Sequence, residues 1–231
     1  MTDSALRELA DDPSSRKRFF KMIGGAGAVS AFGVVLAACG DDDKKDSGSK
    51  DSGSKSSDAD NKSDIEIVNY ALTLEFLEAA FYQQAIDSGQ IKDKATGEIA
   101  KKFGETEQEH VDALKAAVEK LGGKPVKAPK TAFEDVINKG EMSILTAAAD
   151  VENLGAAAYL GQAGNIKSKE ILASALAIHT VEARHAAALN QAIGRGFGGK
   201  GGLKGTLPDG AFAKPMDKAA VLKAVKPFLA S

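Results

Sequence analysis

Two short patterns occur twice in this chain, in the same order and at nearly the same distance. Glu75 is followed seven residues on by Tyr82, and Glu152 is followed seven residues on by Tyr159. Glu107-Gln108-Glu109-His110 sets a glutamate and a histidine three apart, and Glu182-Ala183-Arg184-His185 repeats that spacing. The offsets are 77 residues from Glu75 to Glu152 and 75 from Glu107 to Glu182. A pattern doubled at such an offset points to a repeated helix pair. Spacings of three and seven are about one and two helical turns, so each pair lies on one face of its helix.

The hydrophobic periodicity supplies the helices. Asp64 to Ser88 carries Ile67, Val68, Ala71, Leu72, Leu74, Ala79, Tyr82 and Ile86 at helical spacing, with Asp64 as cap and Ser88-Gly89 as stop. A second helix is expected over Thr96 to Leu121, a third long one over Met142 to Leu160, closing at Gly161–Gly164, and a fourth over Ser168 to Ile193. A short helix is expected at Ala132 to Asn138 and a last one at Asp217 to Leu229, packed on the bundle exterior. Alanine is abundant and aromatics are only 6%, which favours close helix packing. The result is an all-α four-helix bundle with a long crossover between helices two and three.

One Glu, one Glu-x-x-His, one Glu and one Glu-x-x-His then fall on the four long helices in turn. Four helices supply four carboxylates and two imidazoles to one core, a ligand set suited to two iron or two manganese ions. Two divalent ions carry +4 against −4, so the assembly is neutral and can sit among apolar side chains. Without metal the inward carboxylates repel one another and raise one another's pKa values. A single Glu-x-x-His on an alanine-rich helix is ordinarily a solvated face. Here two of the chain's 3 histidines fall in such motifs, and Ala71, Leu72, Ala79, Leu154, Ala158, Ile178 and Val181 flank the acids.

The N-terminus reads as a targeting segment. Basic residues Arg16, Lys17, Arg18 and Lys21 precede an uncharged stretch from Met22 to Ala38. At 17 residues it is short for a membrane span and suits a signal peptide. Leu36-Ala37-Ala38-Cys39 resembles a lipobox, and Cys39 is the only cysteine in the chain. The alternative is a free or buried cysteine in a true membrane helix. The basic segment resembles a twin-arginine export signal whose paired slot reads Arg16-Lys17; the general export route stays open. Residues 40–63 hold seven Asp, five Lys, seven Ser and three Gly, with nothing to bury, and are expected to be a disordered tether. The expected organisation is therefore a signal peptide over 1–38, a lipidated linker over 39–63, a bundle over 64–194, and a Gly-rich loop with a C-terminal helix over 195–231.

Composition excludes several classes. One cysteine rules out an intrachain disulfide framework and any Cys-rich zinc or iron–sulfur cage. From Cys39 onward, 25 basic and 28 acidic residues leave about −3, and the folded region carries no dominant basic stripe, so no nucleic-acid partner is implied. The six glycines between Arg195 and Gly205 lack the Lys-then-Ser/Thr ending of a phosphate loop, and a surface loop is expected.

The stretch from Asp64 to Ile193 resembles the ferritin-like superfamily. The resemblance rests on Leu74-Glu75-Phe76-Leu77-Glu78-Ala79-Ala80-Phe81-Tyr82 and on the two Glu-x-x-His motifs. Leu207-Pro208-Asp209-Gly210-Ala211-Phe212 and Val225-Lys226-Pro227-Phe228-Leu229 are similar to the narrower group of exported ferritin-like domains in desiccation-related bacterial proteins. The resemblance implies Glu75 and Glu152 as metal ligands, Glu107 and Glu182 as bridging or capping carboxylates, and His110 and His185 holding one metal each. Glu78, one turn past Glu75, is either an extra carboxylate or a solvated face. Glu109 is expected to be exposed, and His179 to be a supporting or surface residue. Tyr82 and Tyr159 are open to three roles: bonding to ligands, carrying an electron hole, or core packing.

The function implied is chemistry of two iron ions, or of manganese, on dioxygen, peroxide or ferrous iron in stress protection. The absence of a Cys₄ electron-transfer module speaks against a rubrerythrin-type peroxidase, and the tether and C-terminal extension speak against a storage shell. The alternative is a non-enzymatic, membrane-tethered structural or stress-protection module. The partner expected is membrane lipid through Cys39, at the outer face of the cell membrane. A homodimer is compatible with this reading, and no other protein partner is implied.

Overall fold

The computed structural model describes residues 58–199 and 204–230. The segment expected to be a signal peptide, Cys39, and the expected linker as far as residue 57 lie outside the described residues. The long helices are α1 (Asp58–Asp87), α2 (Lys94–Lys120), α4 (Glu141–Ala163) and α5 (Lys169–Ala192). A four-residue α3 (Glu134–Ile137) lies in the crossover, and α6 (Lys218–Val225) continues into a 3₁₀ turn over Lys226–Phe228. This is the expected all-α bundle.

Side-chain contacts at the helix ends define the directions. Asn69, near the start of α1, bonds to Lys124 O and Val126 N just beyond α2, so α1 and α2 are antiparallel. Glu141, at the start of α4, accepts from the backbone N–H of Lys92 at the α1–α2 turn. The connection from Leu121 to Gly140 therefore runs the length of the bundle, and α4 is antiparallel to α1. α5 then returns alongside α4.

Asp64 differs from expectation. The first helix begins at Asp58, so residues 58–63, expected to belong to the tether, are helical and place Asp58 and Asp60 in the first turn, where they oppose the helix dipole. Asp64 is consequently inside α1 and cannot cap it. It is fully buried, and its two carboxylate oxygens accept from the backbone N–H groups of Lys167 (2.8 Å) and Ser168 (2.7 Å) at the start of α5. Ser168 in turn caps α5 through Ile171 N–H. One acid in α1 thus fixes the end of a helix about 100 residues later.

α4 packs against α1, α3, α5 and α6, so it is buried on most sides and its alanines (Ala148, Ala149, Ala156, Ala157, Ala158) admit close neighbours. It closes at Gly164, inside the expected Gly161–Gly164 stop, and passes through Gly161. There a Cβ would lie 2.0 Å from Met216 O, while Met216 N–H donates to Ala157 O at 3.0 Å. Gly161 is therefore a seat for the C-terminal segment rather than a helix terminator. That segment buries Val221 and Val225 and is held at its far end by an antiparallel bridge between Thr131 and Leu229.

Asp64→Ala leaves two backbone N–H groups without their acceptor. It should lower the free energy of unfolding by about 1–2 kcal/mol, whereas Glu66→Ala, on the exposed face, should change it little. Equal denaturation midpoints for the two variants would contradict this role.

Candidate metal centre

The four long helices meet at their middles in a cluster of ionisable side chains. Glu75 (α1), Glu107 (α2), Glu152 (α4) and Glu182 (α5) are each 0% exposed, and His110 and His185 are 6% and 7% exposed. They reach the centre because each sits on the inner face of its helix, one or two turns from buried apolar residues. His110 Nδ1 lies 2.8 Å from Glu107 Oε2, 3.1 Å from Glu75 Oε2 and 3.3 Å from Glu182 Oε1. His185 Nδ1 lies 2.9 Å from Glu107 Oε1 and 3.3 Å from Glu152 Oε2. Glu107 therefore spans both imidazoles with its two oxygens.

The tyrosines cross over. Tyr82 of α1 donates to Glu152 Oε1 of α4 at 2.5 Å, and Tyr159 of α4 donates to Glu75 Oε1 of α1 at 2.5 Å. Each tyrosine shares a helix with one glutamate and holds the glutamate of the other half. Antiparallel packing of α1 on α4 produces this exchange from the seven-residue spacing. Burial pushes both phenols well up in pKa, with Glu152 adding to the effect on Tyr82 and Glu75 to that on Tyr159. They are therefore neutral hydrogen-bond donors.

Glu78 is in the core, not on a solvated face: it is 2% exposed and its Oε2 has no hydrogen-bond partner. Its neighbour is Gly155, which the 77-residue offset pairs with Glu78. A Cβ at Gly155 would lie 2.8 Å from Glu182 Oε2 and 2.9 Å from Glu78 Oε1. The second half of the repeat thus gives up a side chain where the first half inserts a carboxylate. A cavity of about 10 Å³ beside Glu78 is lined by Leu74, Gly155 and Val225. Glu109 is half-buried rather than exposed and stands outside the cluster. His179, also outside it, has its Nδ1 2.9 Å from Ala156 O. Sequence reasoning missed Phe103, whose ring stacks on His185 at 3.8 Å and restricts that imidazole; its position one turn before Glu107 was the available signal.

The donor set fits cations. Two groups of four residues, Glu75/Glu107/His110/Glu182 and Glu107/Glu152/Glu182/His185, each offer donor atoms within 4.8 Å of one another. An ion with bonds of about 2.1 Å separates opposite donors by about 4.2 Å. Both groups share Glu107 and Glu182, as two neighbouring ions with bridging carboxylates require. Glu107 Oε1, Glu152 Oε2, both oxygens of Glu182, and His185 Nδ1 lack a hydrogen-bond partner although all are buried. His185 Nδ1 and Glu107 Oε1 are close without hydrogen-bond alignment, as two donors aimed at a common point would be.

Residues 63–195 match the profile of the ferritin-like domain. The chain belongs to the ferritin-like family. Comparison with curated proteins gives no match. In this ferritin-like bundle the cost of the buried acids shows in their pKa values. Burial raises Glu75 to about 7, against the lowering effect of His110. Burial, then neighbouring glutamates, push Glu78 and Glu182 well up, and burial with Glu107 raises Glu152. Glu107 is the exception: burial acts to raise it, but the hydrogen bond from His110 and the close approach of the His185 imidazole prevail and bring it to about 2. His185 is lowered by burial but raised further by Glu107 and Glu152, to about 9, and His110 is raised well above its ordinary value by Glu75 and the other acids.

In the metal-free domain these groups other than Glu107 bind protons more tightly when folded than when unfolded. Their contribution is complete below the unfolded pKa values and is lost as pH rises through the folded ones. Glu107 acts oppositely, its contribution being lost as pH falls from 4.5 towards about 2. Chelator-treated protein should therefore lose thermal stability as pH rises from the ordinary carboxylate range through about 7 (Glu75) and about 9 (His185). Metal-loaded protein should resist this loss, because metal replaces the protons. A melting temperature of the metal-free form that rises over that range would contradict the assignment.

Proposed function

We propose that this protein is an exported, membrane-tethered member of the family that holds two iron or manganese ions and uses them on dioxygen, peroxide or ferrous iron in stress protection. The observation that carries the reading is that both donor groups share Glu107 and Glu182. In this reading Glu75 and His110 would hold one ion, Glu152 and His185 the other, and Glu107 and Glu182, common to both groups, would serve both. Glu78 supplies a further carboxylate beside Glu182.

A bound ferrous pair supplies two electrons, one from each ion, for the reduction of dioxygen or peroxide. The protein's own residues prepare that chemistry. The four shared and terminal carboxylates offset the charge of two divalent ions in a core that excludes bulk water. Tyr82 and Tyr159 hold Glu152 and Glu75 by one oxygen each, so that the other oxygen of each is turned to the imidazoles at the centre. Phe103 keeps the His185 ring in its plane.

Export and anchoring rest on the sequence: the basic segment, the uncharged Met22–Ala38 stretch, and Cys39 as the site of lipid attachment. The Leu207–Phe212 and Val225–Leu229 segments support placing the chain with the desiccation-related group. A second reading is a non-enzymatic module in which metal holds the helices together. Complete burial of Glu75, Glu107, Glu152 and Glu182 favours it, since closed sites are characteristic of structural metals.

Elemental analysis of the full chain made in iron-supplied cells tests the shared premise. About two iron or manganese atoms per chain are expected, and Glu107→Ala/Glu182→Ala should remove them. Turnover of dioxygen or peroxide by the loaded protein then separates the catalytic reading from the structural one. Negligible metal in the folded wild type, even after iron or manganese is added back, would refute both.

A further inference from the structure

Hydrogen bonds fall unevenly on the two donor groups of the centre. On one side they are complete. His110 Nδ1 is bonded to Glu107 Oε2 (2.8 Å) and Glu75 Oε2 (3.1 Å), and Glu75 Oε1 accepts from Tyr159. On the other side Glu152 Oε2 and His185 Nδ1 have no hydrogen-bond partner, and neither has Glu107 Oε1, the oxygen that faces His185. The two oxygens of Glu107 are thus in opposite conditions, bonded towards His110 and unpaired towards His185. A cation reaching the His110 side must break hydrogen bonds to obtain its ligands. On the His185 side the same kinds of atom are buried without partners, which is costly, so a cation there relieves a cost instead of exchanging one set of contacts for another.

A side chain outside both donor groups sharpens the difference. Phe103 of α2 stacks its ring on His185, with centroids 3.8 Å and planes 20° apart. The same ring meets Tyr82 at 6.1 Å and 88°, and Tyr82 is the donor to Glu152. Phe103 therefore touches His185 and also the tyrosine that holds Glu152, the two ligands that belong to that donor group alone. Gly104 makes this approach possible. A Cβ there would stand 2.9 Å from Tyr82 Cβ, so α2 lies directly against α1 beside Phe103. The 75-residue offset sets Ile178 in the place of Phe103, and an aliphatic side chain has no ring face to offer. Among the described residues no aromatic ring stacks on His110.

We propose that the two ions are bound in order, the first at Glu152 and His185 and the second at Glu75 and His110, with Phe103 as the positioning residue that fixes the first. An imidazole held by stacking and a carboxylate held by a phenol lose little freedom when they take a cation, so binding there is tighter. Glu107 links the two steps. Its Oε1 is available to the first ion, while its Oε2 stays with His110 until the second ion breaks that contact. The bundle accordingly has a stable one-ion state. The proposal rests on the two-ion reading above and adds to it the order of filling and the residue that sets it.

Nitrogen magnetic resonance of the imidazoles in the full chain tests the order. The chain has 3 histidines, and His179, outside the cluster, serves as the internal reference. Zinc(II), a diamagnetic probe, is added to chelator-treated protein. His185 should take the shift of a coordinated imidazole at one equivalent, and His110 only as the second is added. Manganese(II) titrations, with the free ion counted by electron paramagnetic resonance, read the role of Phe103. Phe103→Leu should weaken the first step about tenfold, and Phe103→Tyr, which keeps the ring, should preserve it. In a His185→Gln background, Phe103→Leu should leave the remaining binding unchanged. His110 shifting first, or both histidines shifting together, overturns the order and leaves the two-ion reading standing. Neither shifting at two equivalents overturns both. Equal weakening by Phe103→Leu with and without the His185 imidazole overturns the positioning role and assigns the ring to general packing.

Discussion

The Glu107 carboxylate reaches 2.8 Å to His110 within its own helix and 2.9 Å to His185 on α5. It is the group through which the two halves of the bundle meet, and the other buried acids are arranged around it. Glu75, Glu78, Glu152 and Glu182 place four more carboxylates in the same water-poor space. No arrangement of two imidazoles satisfies five carboxylates. The rise in pKa of four of them is the physical sign of a charge deficit. Protons or metal cations supply the missing positive charge, and the oxygens of Glu182 and the Nδ1 of His185 that lack hydrogen-bond partners are where either would go.

Much of this was readable in the sequence because helical periodicity is strict. Spacings of three and seven cannot leave one face of a helix, so the six central donors followed from the doubled motif. What the sequence left open depended on how helices meet. The crossed pairing of Tyr82 with Glu152 and Tyr159 with Glu75 follows from α4 running antiparallel to α1, a relation carried by end contacts far from the motif. Glu78 was ambiguous because an acid one turn past another reads equally as a wet face. Its resolution lay in another helix, where Gly155 makes room. Asp64 looked like a cap for its own helix because it preceded an apolar run. The helix started earlier, and the acid became an acceptor for the first amides of α5.

The repeat is informative where it fails as well as where it holds. Glu75 and Glu152 correspond, Tyr82 and Tyr159 correspond, and Glu78 corresponds to Gly155. A glutamate at position 155 as well would put one further carboxylate against Glu182 and Glu78. One half therefore carries the extra acid and the other carries the space. The two donor groups are consequently unequal in their surroundings although the six central donors are related by the repeat. The C-terminal segment reinforces this inequality, since Val225 closes the cavity on the Glu78 side and is itself held by the crossover and by the seat at Gly161.

The central claim is that Glu107 and Glu182 bring two ions together rather than hold one. X-ray absorption at the metal edge of the loaded full chain tests it directly. The account predicts a metal neighbour at about 3.5–4 Å, alongside a first shell of oxygen with one imidazole nitrogen per ion. A first shell of that kind with no metal neighbour, at one ion per chain, would contradict it.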